Sequence, residues 1–409
     1  MNPPENPREI PVDEEIQTPQ SEAPPAEAAL EAAFTTEPAA LIPDAQEYRG
    51  LRWAFIGSEI GSQGLRAGWS VLVFVLLFAL LSAAVGFAFF KLHLVDPKAH
   101  FTAASSFFGE LIPFLGMVGA AAIVAFIERR RSLLAFNLSG PRRLRHFIQG
   151  LVAGFGALSA LIGALAWGGW LHFGPVALSG AEIFKFGAFW GAAFLLVGCV
   201  EEGLFRCYLQ FTLTRGINFW WALGVIALIC LDLVLTAKGN GVWGVYLIAL
   251  MGLVPCLLLH LSKPSLHLSK AEGSSFWQAA WVTSTLFGFI HTGNNGENWI
   301  GIFQAAAIGF VFCVSVRVTG SAWWAIGCHA AWDWAETYFY GAADSGNVAT
   351  GHYLTTSPAG NAFWSGGTDG PEGSVLGFGV ILLLFVALLV IYGRKKPVAL
   401  PPTQEQIAA

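Results

Sequence analysis

The sequence predicts an all-α fold, a polytopic transmembrane helical bundle preceded by a disordered acidic tail. Of its 409 residues, 55% are hydrophobic and only 12% are charged, whereas a soluble domain carries about 25% charged residues. About ten segments reach the length of roughly 20 mostly apolar residues that a membrane span requires. Because hydrocarbon cannot hydrogen-bond an exposed backbone, we expect these segments to be helices packed into one bundle.

The N-terminal region differs in composition from the rest of the chain. Residues 1–47 are rich in Pro, Ala and Glu and contain eleven acidic residues but one base, Arg8. Such a segment buries too little apolar surface to fold alone, so we predict disorder. Residues 48–68 mix arginines with large apolar residues, which predicts an interfacial helix leading into the membrane. The first long apolar run begins only near Trp69, so no cleavable signal peptide is expected.

Residues 69–396 form the predicted transmembrane domain, and residues 397–409 form a short C-terminal tail. A Gly-rich loop at 341–373 is expected to cover the outer mouth of the bundle. The predicted spans are 69–92, 103–127, 148–172, 184–210, 217–236, 242–261, 276–292, 299–317, 321–340 and 374–393.

The basic residues predict how the bundle is oriented. The loop Glu128–His146 holds a cluster of arginines, and the positive-inside rule places such a loop in the cytoplasm. Counting spans from there puts every basic cluster on the same side and both termini in the cytoplasm. We therefore expect an integral protein of the bacterial cytoplasmic (inner) membrane. Membrane topology accounts for the short basic loops, so we expect no nucleic acid partner, and the six cysteines, none in a CxxC pair, are expected to be buried thiols.

Two adjacent carboxylates end the apolar run 184–200. Charged groups within a span are costly and are functional candidates by default. Residues four apart share one helical face, so Arg206 can pair with Glu202 while Glu201 points about 100° away. One carboxylate is then held in an ion pair, and the other is free to act.

Two later spans carry the remaining polar candidates. His291 ends an apolar run, and Asn294 lies three residues further on, where it would orient the imidazole or bind a backbone group. His329 and Asp333 stack on one helical face, so Asp333 would fix the tautomer of the imidazole. Glu336 would either join this group or face the outer interface.

These candidates on three spans would converge within one bundle. Two imidazoles and a carboxylate, here His291, His329 and Glu201, are a ligand set for catalytic zinc. The same groups without metal would activate water as a general acid and base. Either chemistry predicts peptide hydrolysis, and the motifs of serine hydrolases, HExxH metalloproteases and phosphate-binding loops are absent from the sequence.

Two other functions remain open. Intramembrane carboxylates and histidines also form the proton relays of proton- or ion-coupled transporters, although no repeated halves are visible. A catalytically inert membrane scaffold of the same fold is the other alternative. Glu110 and Asp232, also within spans, are expected to be paired or to face a cavity in a structural role.

The polar motifs resemble those of the CAAX protease and bacteriocin-processing (CPBP, or Abi) family of intramembrane proteases. The resemblance covers about residues 184–340, the protease-like core. The third motif ends in Asp, where the prenyl-protein endoproteases carry Asn, and this form suits the broader bacterial branch equally well. The motifs read Glu201-Glu202-x-x-x-Arg206, Phe287-x-x-x-His291 and His329-x-x-x-Asp333.

The resemblance implies an intramembrane endopeptidase acting on a membrane-associated peptide, either prenylated or leader-bearing. It implies that Glu201 is the general base that activates water and that His291 holds the same water. Glu202 would be a second carboxylate, oriented by Arg206.

The resemblance also implies that His329 and Asp333 stabilise the oxyanion or complete the site. Family members are commonly called metalloproteases, while a metal-free glutamate mechanism is argued for relatives. Zinc and metal-free water therefore both remain open as predictions.

Overall fold

A computed structural model describes residues 65–96, 101–128, 130, 132–217, 219–236, 241–261, 273–294 and 296–393. The predicted acidic tail, all but the last residues of the predicted interfacial helix and the C-terminal tail lie outside the described residues. The described part is mostly helical, as predicted. The twelve α-helices of the described part are α1 (Ala67–Lys91), α2 (Ala103–Ile127), α3 (Arg143–Trp167), α4 (Ala181–Glu202), α5 (Gln210–Thr214), α6 (Phe219–Thr236), α7 (Gly241–Leu261), α8 (Gly273–Ile290), α9 (Trp299–Thr319), α10 (Trp323–Asp333), α11 (Ala362–Ser365) and α12 (Leu376–Tyr392).

Every predicted span corresponds to a helix. Within the described residues, six helical segments are long and apolar enough to cross a membrane, namely α1, α2, α3, the continuous segment Ala181–Thr214, α6 and α9. The apolar parts of α7 and α12 are shorter. His291 directly follows α8, and α10 carries His329 and Asp333. The transmembrane bundle is thus established, while the number of about ten spans stays a prediction.

Helix α3 begins earlier than predicted. It runs from Arg143 to Trp167 rather than over 148–172. Its first turn is basic and amphipathic, so a prediction based on apolar runs alone does not include it. Residues Leu171–Phe173 instead form strand β1, which pairs antiparallel with strand β2, Thr356–Pro358.

Helices α3 and α10 approach each other closely through glycine. A Cβ atom added at Gly150 would lie 2.2 Å from the carbonyl oxygen of Trp324, and one at Gly154 would lie 2.0 Å from that of Cys328. Close backbone approach through small residues is how helices associate in lipid, where apolar side chains gain little by leaving the solvent. This contact fixes the position of α10, which carries two of the candidate residues.

Helix α9 is the central helix of the bundle, since 67% of its apolar window is buried. Asn298 caps its first turn by accepting hydrogen bonds from the backbone N–H groups of Ile300 and Gly301 at 2.7 and 3.2 Å. The Asn298 side chain also donates to the carbonyl oxygens of Gly366 and Gly373. These bonds attach the loop between α10 and α12 to the start of α9.

Two basic segments meet at one end of the bundle. The Glu128 carboxylate lies 2.7 Å from Arg130 and 2.9 Å from Arg215, and Arg215 also donates to the backbone oxygen of Leu65. The segments after α2 and α5 therefore lie beside the start of α1, as the positive-inside pattern requires. The cytoplasmic assignment of this end stays a prediction.

Two predictions made for single residue types need correction. Four thiols are buried, but Cys199 and Cys230 are partly exposed. Asp232 is exposed on α6, so the prediction that it faces a cavity is wrong, while the alternative that it is paired stays a prediction because the structure describes only part of the chain around it. It lies in the last turns of α6, where a carboxylate can reach the polar edge of a membrane.

Candidate active site

The helix α4 delivers two carboxylates to the centre of the bundle and then widens. Residues Gly203–Leu209 form a π-helical stretch directly after Glu202. The Arg206 Nε lies 3.2 Å from Glu202 Oε2, and both side chains are completely buried. The predicted ion pair is therefore present. Glu201 retains 28% side-chain exposure, and its Oε2 atom accepts no hydrogen bond.

The Arg206 guanidinium is enclosed by aromatic rings. Its Cζ lies 4.2 Å from the ring centroid of Phe287 and 5.4 Å from that of Phe312. A desolvated cation over an aromatic face gains about 2 kcal/mol, which partly offsets the burial of its charge. A Cβ atom at Gly309 would lie 2.4 Å from the Arg206 Nη2, so glycine leaves the room that the guanidinium occupies.

The imidazole of His329 lies among three carboxylates. Its Nδ1 is 2.9 Å from Glu202 Oε1, and because an ionised carboxylate only accepts, Nδ1–H is the donor. The Nε2 atom faces Asp333 Oδ2 at 3.5 Å and Glu201 Oε2 at 3.8 Å. Glu202, rather than the predicted Asp333, thus fixes the tautomer of His329, because Asp333 is beyond ordinary hydrogen-bonding distance.

His291 has a defined tautomer as well. Its Nδ1 lies 2.7 Å from the backbone oxygen of Phe287, and since a carbonyl cannot donate, Nδ1 carries the proton. The lone pair of the neutral ring is then on Nε2 and available to accept. Asn294, predicted to orient this ring, instead donates to Glu297 at 2.7 Å, so that prediction is wrong.

A cavity of about 60 Å³ lies between the site helices and the start of α12. One water needs at least about 10–15 Å³ measured in this way, so there is room for several. His291, His329 and Asp333 line the cavity together with Phe287 and Trp332. It therefore brings the second and third motifs to one cavity, large enough to hold water, beside the first.

The structure defines the positions of two further carboxylates, Glu110 and Glu336, more closely than the sequence does. Glu110 on α2 interacts electrostatically with Glu201 and His329, so it faces the site. Glu336 is completely buried in a second π-helical stretch, Trp334–Phe339, rather than at the outer interface. A charge within an apolar span was the available signal for Glu110.

Glu201, His291 and His329 are the predicted zinc ligands. Among the described residues, no three His, Cys, Asp or Glu side chains are grouped as a ready-made metal site. Nδ1 of His329 is held by Glu202 and Nδ1 of His291 by the backbone oxygen of Phe287, which leaves each Nε2 free for a metal or for water. Zinc and metal-free water therefore both stay predictions.

Five carboxylates gather at the outer edge of the cavity, and we call them the carboxylate cluster. Neutral groups donate to four of them: Trp332 to Glu372, Thr337 to Asp344, the backbone of Asn298 to Asp369 and Asn294 to Glu297. Most come from loops, where the sequence has no periodic spacing from which their positions could be predicted. The cluster consists of Glu297, Glu336, Asp344, Asp369 and Glu372.

Comparison with known families now identifies the core. Residues 183–335 match the family described as type II CAAX prenyl endopeptidase Rce1-like. The chain contains an Rce1-like domain. Comparisons with curated proteins and with solved structures give no significant match.

The Rce1-like domain spans all three motifs and the helices that carry them, from α4 into the π-helical stretch after α10. The resemblance seen in the sequence is thereby confirmed. The domain supports a membrane protease of the CAAX type, whereas the substrate and the catalytic mechanism are matters for proposal.

Proposed function

We propose that this protein is an intramembrane endopeptidase in which Glu201 and two histidines activate water without a metal. The observation that carries the proposal is the orientation of His329. Glu202 holds Nδ1 at 2.9 Å, which leaves Nε2 directed towards the unpaired carboxylate of Glu201. A base with no hydrogen-bond partner beside an oriented imidazole is the arrangement that general acid–base catalysis uses.

In the proposed reaction, a water in the cavity donates one hydrogen bond to Glu201 and one to the Nε2 of His291. Glu201 takes the proton as the water oxygen attacks the peptide carbonyl carbon. When the tetrahedral intermediate collapses, the C–N bond breaks, and Glu201 returns the proton to the leaving amine. The second proton of the water passes from the new carboxylic acid to the amine, so the products are a carboxylate and an ammonium group and no further reactant is needed.

His329 is proposed to stabilise the oxyanion. As an imidazolium it would be surrounded by Glu202, Asp333 and Glu201, and its Nε2–H would donate to the oxygen on which charge develops. Donors fixed before the reaction contribute about 2.7–4 kcal/mol each when they are aimed at that oxygen. Arg206 acts through Glu202 and is a positioning residue.

A proton- or ion-coupled transporter would use the same residue types. The cavity joins His291, His329 and Asp333, which are residue types that a proton relay also uses. The match of residues 183–335 to a peptidase family favours hydrolysis.

The test is cleavage of quenched fluorescent peptides by purified protein in detergent, using prenylated, acylated and unmodified substrates. Glu201→Gln should lower kcat/KM by about a hundredfold to ten-thousandfold while leaving the thermal unfolding temperature nearly unchanged. Glu182→Gln is the matched control, because Glu182 is an exposed residue of the same helix. Normal cleavage by Glu201→Gln would show that another group is the base.

A further inference from the structure

Within the described part of the chain, no Lys or Arg pairs with the carboxylate cluster. Among the described residues, no ion pair involves any of its five members. The basic groups within electrostatic reach are the two site histidines, His291 and His329. Neutral donors satisfy single oxygen atoms, but they supply no positive charge that would favour ionisation of the cluster.

Glu336 shows this most clearly. Its side chain is completely buried, and neither carboxylate oxygen has a hydrogen-bond partner. Glu372, Asp344, Asp333 and Asp369 act electrostatically on Glu336, which places this carboxyl beside the other members of the cluster. Unpaired buried carboxylates are costly, and a cation with N–H donors would relieve that cost.

Two members of the cluster, Glu297 and Asp369, ionise less readily than ordinary carboxyl groups. Burial and then the nearby Asp344 raise the pKa of Glu297 to about 7, against a hydrogen bond from Asn294. Burial and then Glu297 raise the pKa of Asp369 to about 7, although the backbone N–H of Asn298 opposes this. Both carboxyls would therefore release their protons near neutral pH when a bound cation replaces those protons.

The cluster reaches the cavity of the candidate active site. Glu297 and Glu372 line the same cavity as Asp333, and no Lys or Arg lines it. Its other walls include Ile308 and Ile381, so an apolar surface leads towards the carboxylates. An alkyl chain that ends in a cation matches such a surface, as lysine stems do elsewhere.

Trp332 adds a specific contact. Its Nε1 donates to Glu372 Oε1 at 2.7 Å, which holds the indole beside the carboxylate in the cavity wall. Tryptophan faces are the best aromatic partners for organic cations. Trp332 and Glu372 thus place an aromatic ring and a carboxylate side by side, and these are the two groups that bind an organic cation.

We propose that the carboxylate cluster is a specificity subsite that binds a cationic side chain, Lys or Arg, of the peptide substrate close to the scissile bond. This proposal rests on the proposed peptidase function. It also implies that a free C-terminal carboxylate next to the scissile bond is disfavoured, because it would meet like charges. The substrate would then be a basic peptide segment cleaved at an internal bond.

The organic cation is favoured over a free metal ion by geometry. A metal ion needs several oxygen ligands at one short distance, and no three acidic side chains of the described part are grouped in that way. An ammonium or guanidinium group spreads its donors over separate carboxylates.

The first test measures binding without cleavage. Thermal unfolding of the purified full chain at pH 8 is titrated with n-butylammonium, the analogue of a lysine side chain, and with 1-butanol and butyrate. We expect saturable stabilisation by n-butylammonium alone. Glu372→Gln keeps an oxygen for the Trp332 hydrogen bond and should weaken this binding at least about tenfold. Glu182→Gln, an exposed carboxylate outside the cavity, should leave it unchanged.

Equal stabilisation by 1-butanol, or unchanged n-butylammonium binding in a folded Glu372→Gln variant, would overturn the proposal. Stabilisation by calcium chloride that Glu372→Gln removes would make a free metal ion the ligand and would also overturn it.

The second test uses three peptides that differ at one position beside the cleaved bond, with Lys, norleucine or Glu there. The wild type should prefer Lys over norleucine about tenfold in kcat/KM, and Glu372→Gln should lose this preference. Equal cleavage of Lys and norleucine peptides would refute the subsite. Failure to cleave all three would count against the peptidase function, while the binding measurement would still decide the subsite.

Discussion

Replacing Gly154 by alanine should separate α3 from α10 and thereby disturb the active site. The new Cβ atom would lie 2.0 Å from the carbonyl oxygen of Cys328, whereas real Cβ contacts essentially never fall below 3.0 Å. The helices must therefore move apart by about 1 Å. The neighbour of Cys328 is His329, whose Nδ1 hydrogen bond to Glu202 is 2.9 Å long, so a movement of α10 of this size would change the geometry of that bond.

Two costs follow from this displacement. Overpacking in a closely packed interior destabilises the protein by about 1–3 kcal/mol. A misplacement of about 1 Å among reacting groups lowers the rate about a hundredfold. We therefore expect Gly154→Ala to lower both the unfolding temperature in detergent and kcat/KM for peptide cleavage.

Gly156→Ala is the matched control. Gly156 lies on the same helix, is exposed and would bring its Cβ within 4 Å of no other atom. Alanine also favours a helix over glycine by about 0.5–1 kcal/mol. This variant should be fully active and at least as stable as wild type. If Gly154→Ala behaved in the same way, the close contact would not position His329, and the reasoning would be wrong.

Three further predictions concern single groups. Arg206→Ala should destabilise the protein by about 3–5 kcal/mol, because it leaves Glu202 buried without its ion pair; an unchanged unfolding temperature would contradict the pairing. Because the pKa of Asp369 is raised to about 7 in the folded state, its stabilising contribution is complete below the unfolded pKa and is lost as pH rises towards 7. The unfolding temperature should therefore fall between about pH 4 and pH 7, and should fall less in Asp369→Asn. Purified wild type should retain peptide cleavage after chelation, whereas about one zinc per chain, absent from His329→Ala, would establish a metalloprotease.

The sequence predicts the bundle and the site residues because both depend on short-range regularities. Apolar runs of membrane length mark the spans, and spacing of four residues pairs Arg206 with Glu202 on one helix. The three motifs stand on separate helices, and the structure brings Glu201, Glu202, His329 and Asp333 within contact distance.

The remaining features depend on neighbours from different parts of the chain. Spacing within α10 pointed to Asp333 as the partner of His329, but Glu202 from α4 makes the shorter contact. Spacing cannot show such a contact, because it arises only when two helices cross. Likewise, Asp369 and Glu372 lie in an irregular loop, where neither periodicity nor hydropathy indicates which side chains turn inward.

The π-helical stretches after Glu202 and after Asp333 bear on how the lengths of related sequences should vary. A π turn holds more residues than the α turn it replaces, so deletion of one residue within Gly203–Leu209 or Trp334–Phe339 would let the helix close regularly. Because a π turn takes up its extra residue locally, the helix beyond such a deletion would keep nearly the same facing. Relatives that lack one residue at either place should therefore keep the same residues on the site-facing side beyond it, and a gap placed there in an alignment would mark an α turn in place of a π turn rather than a shortened loop.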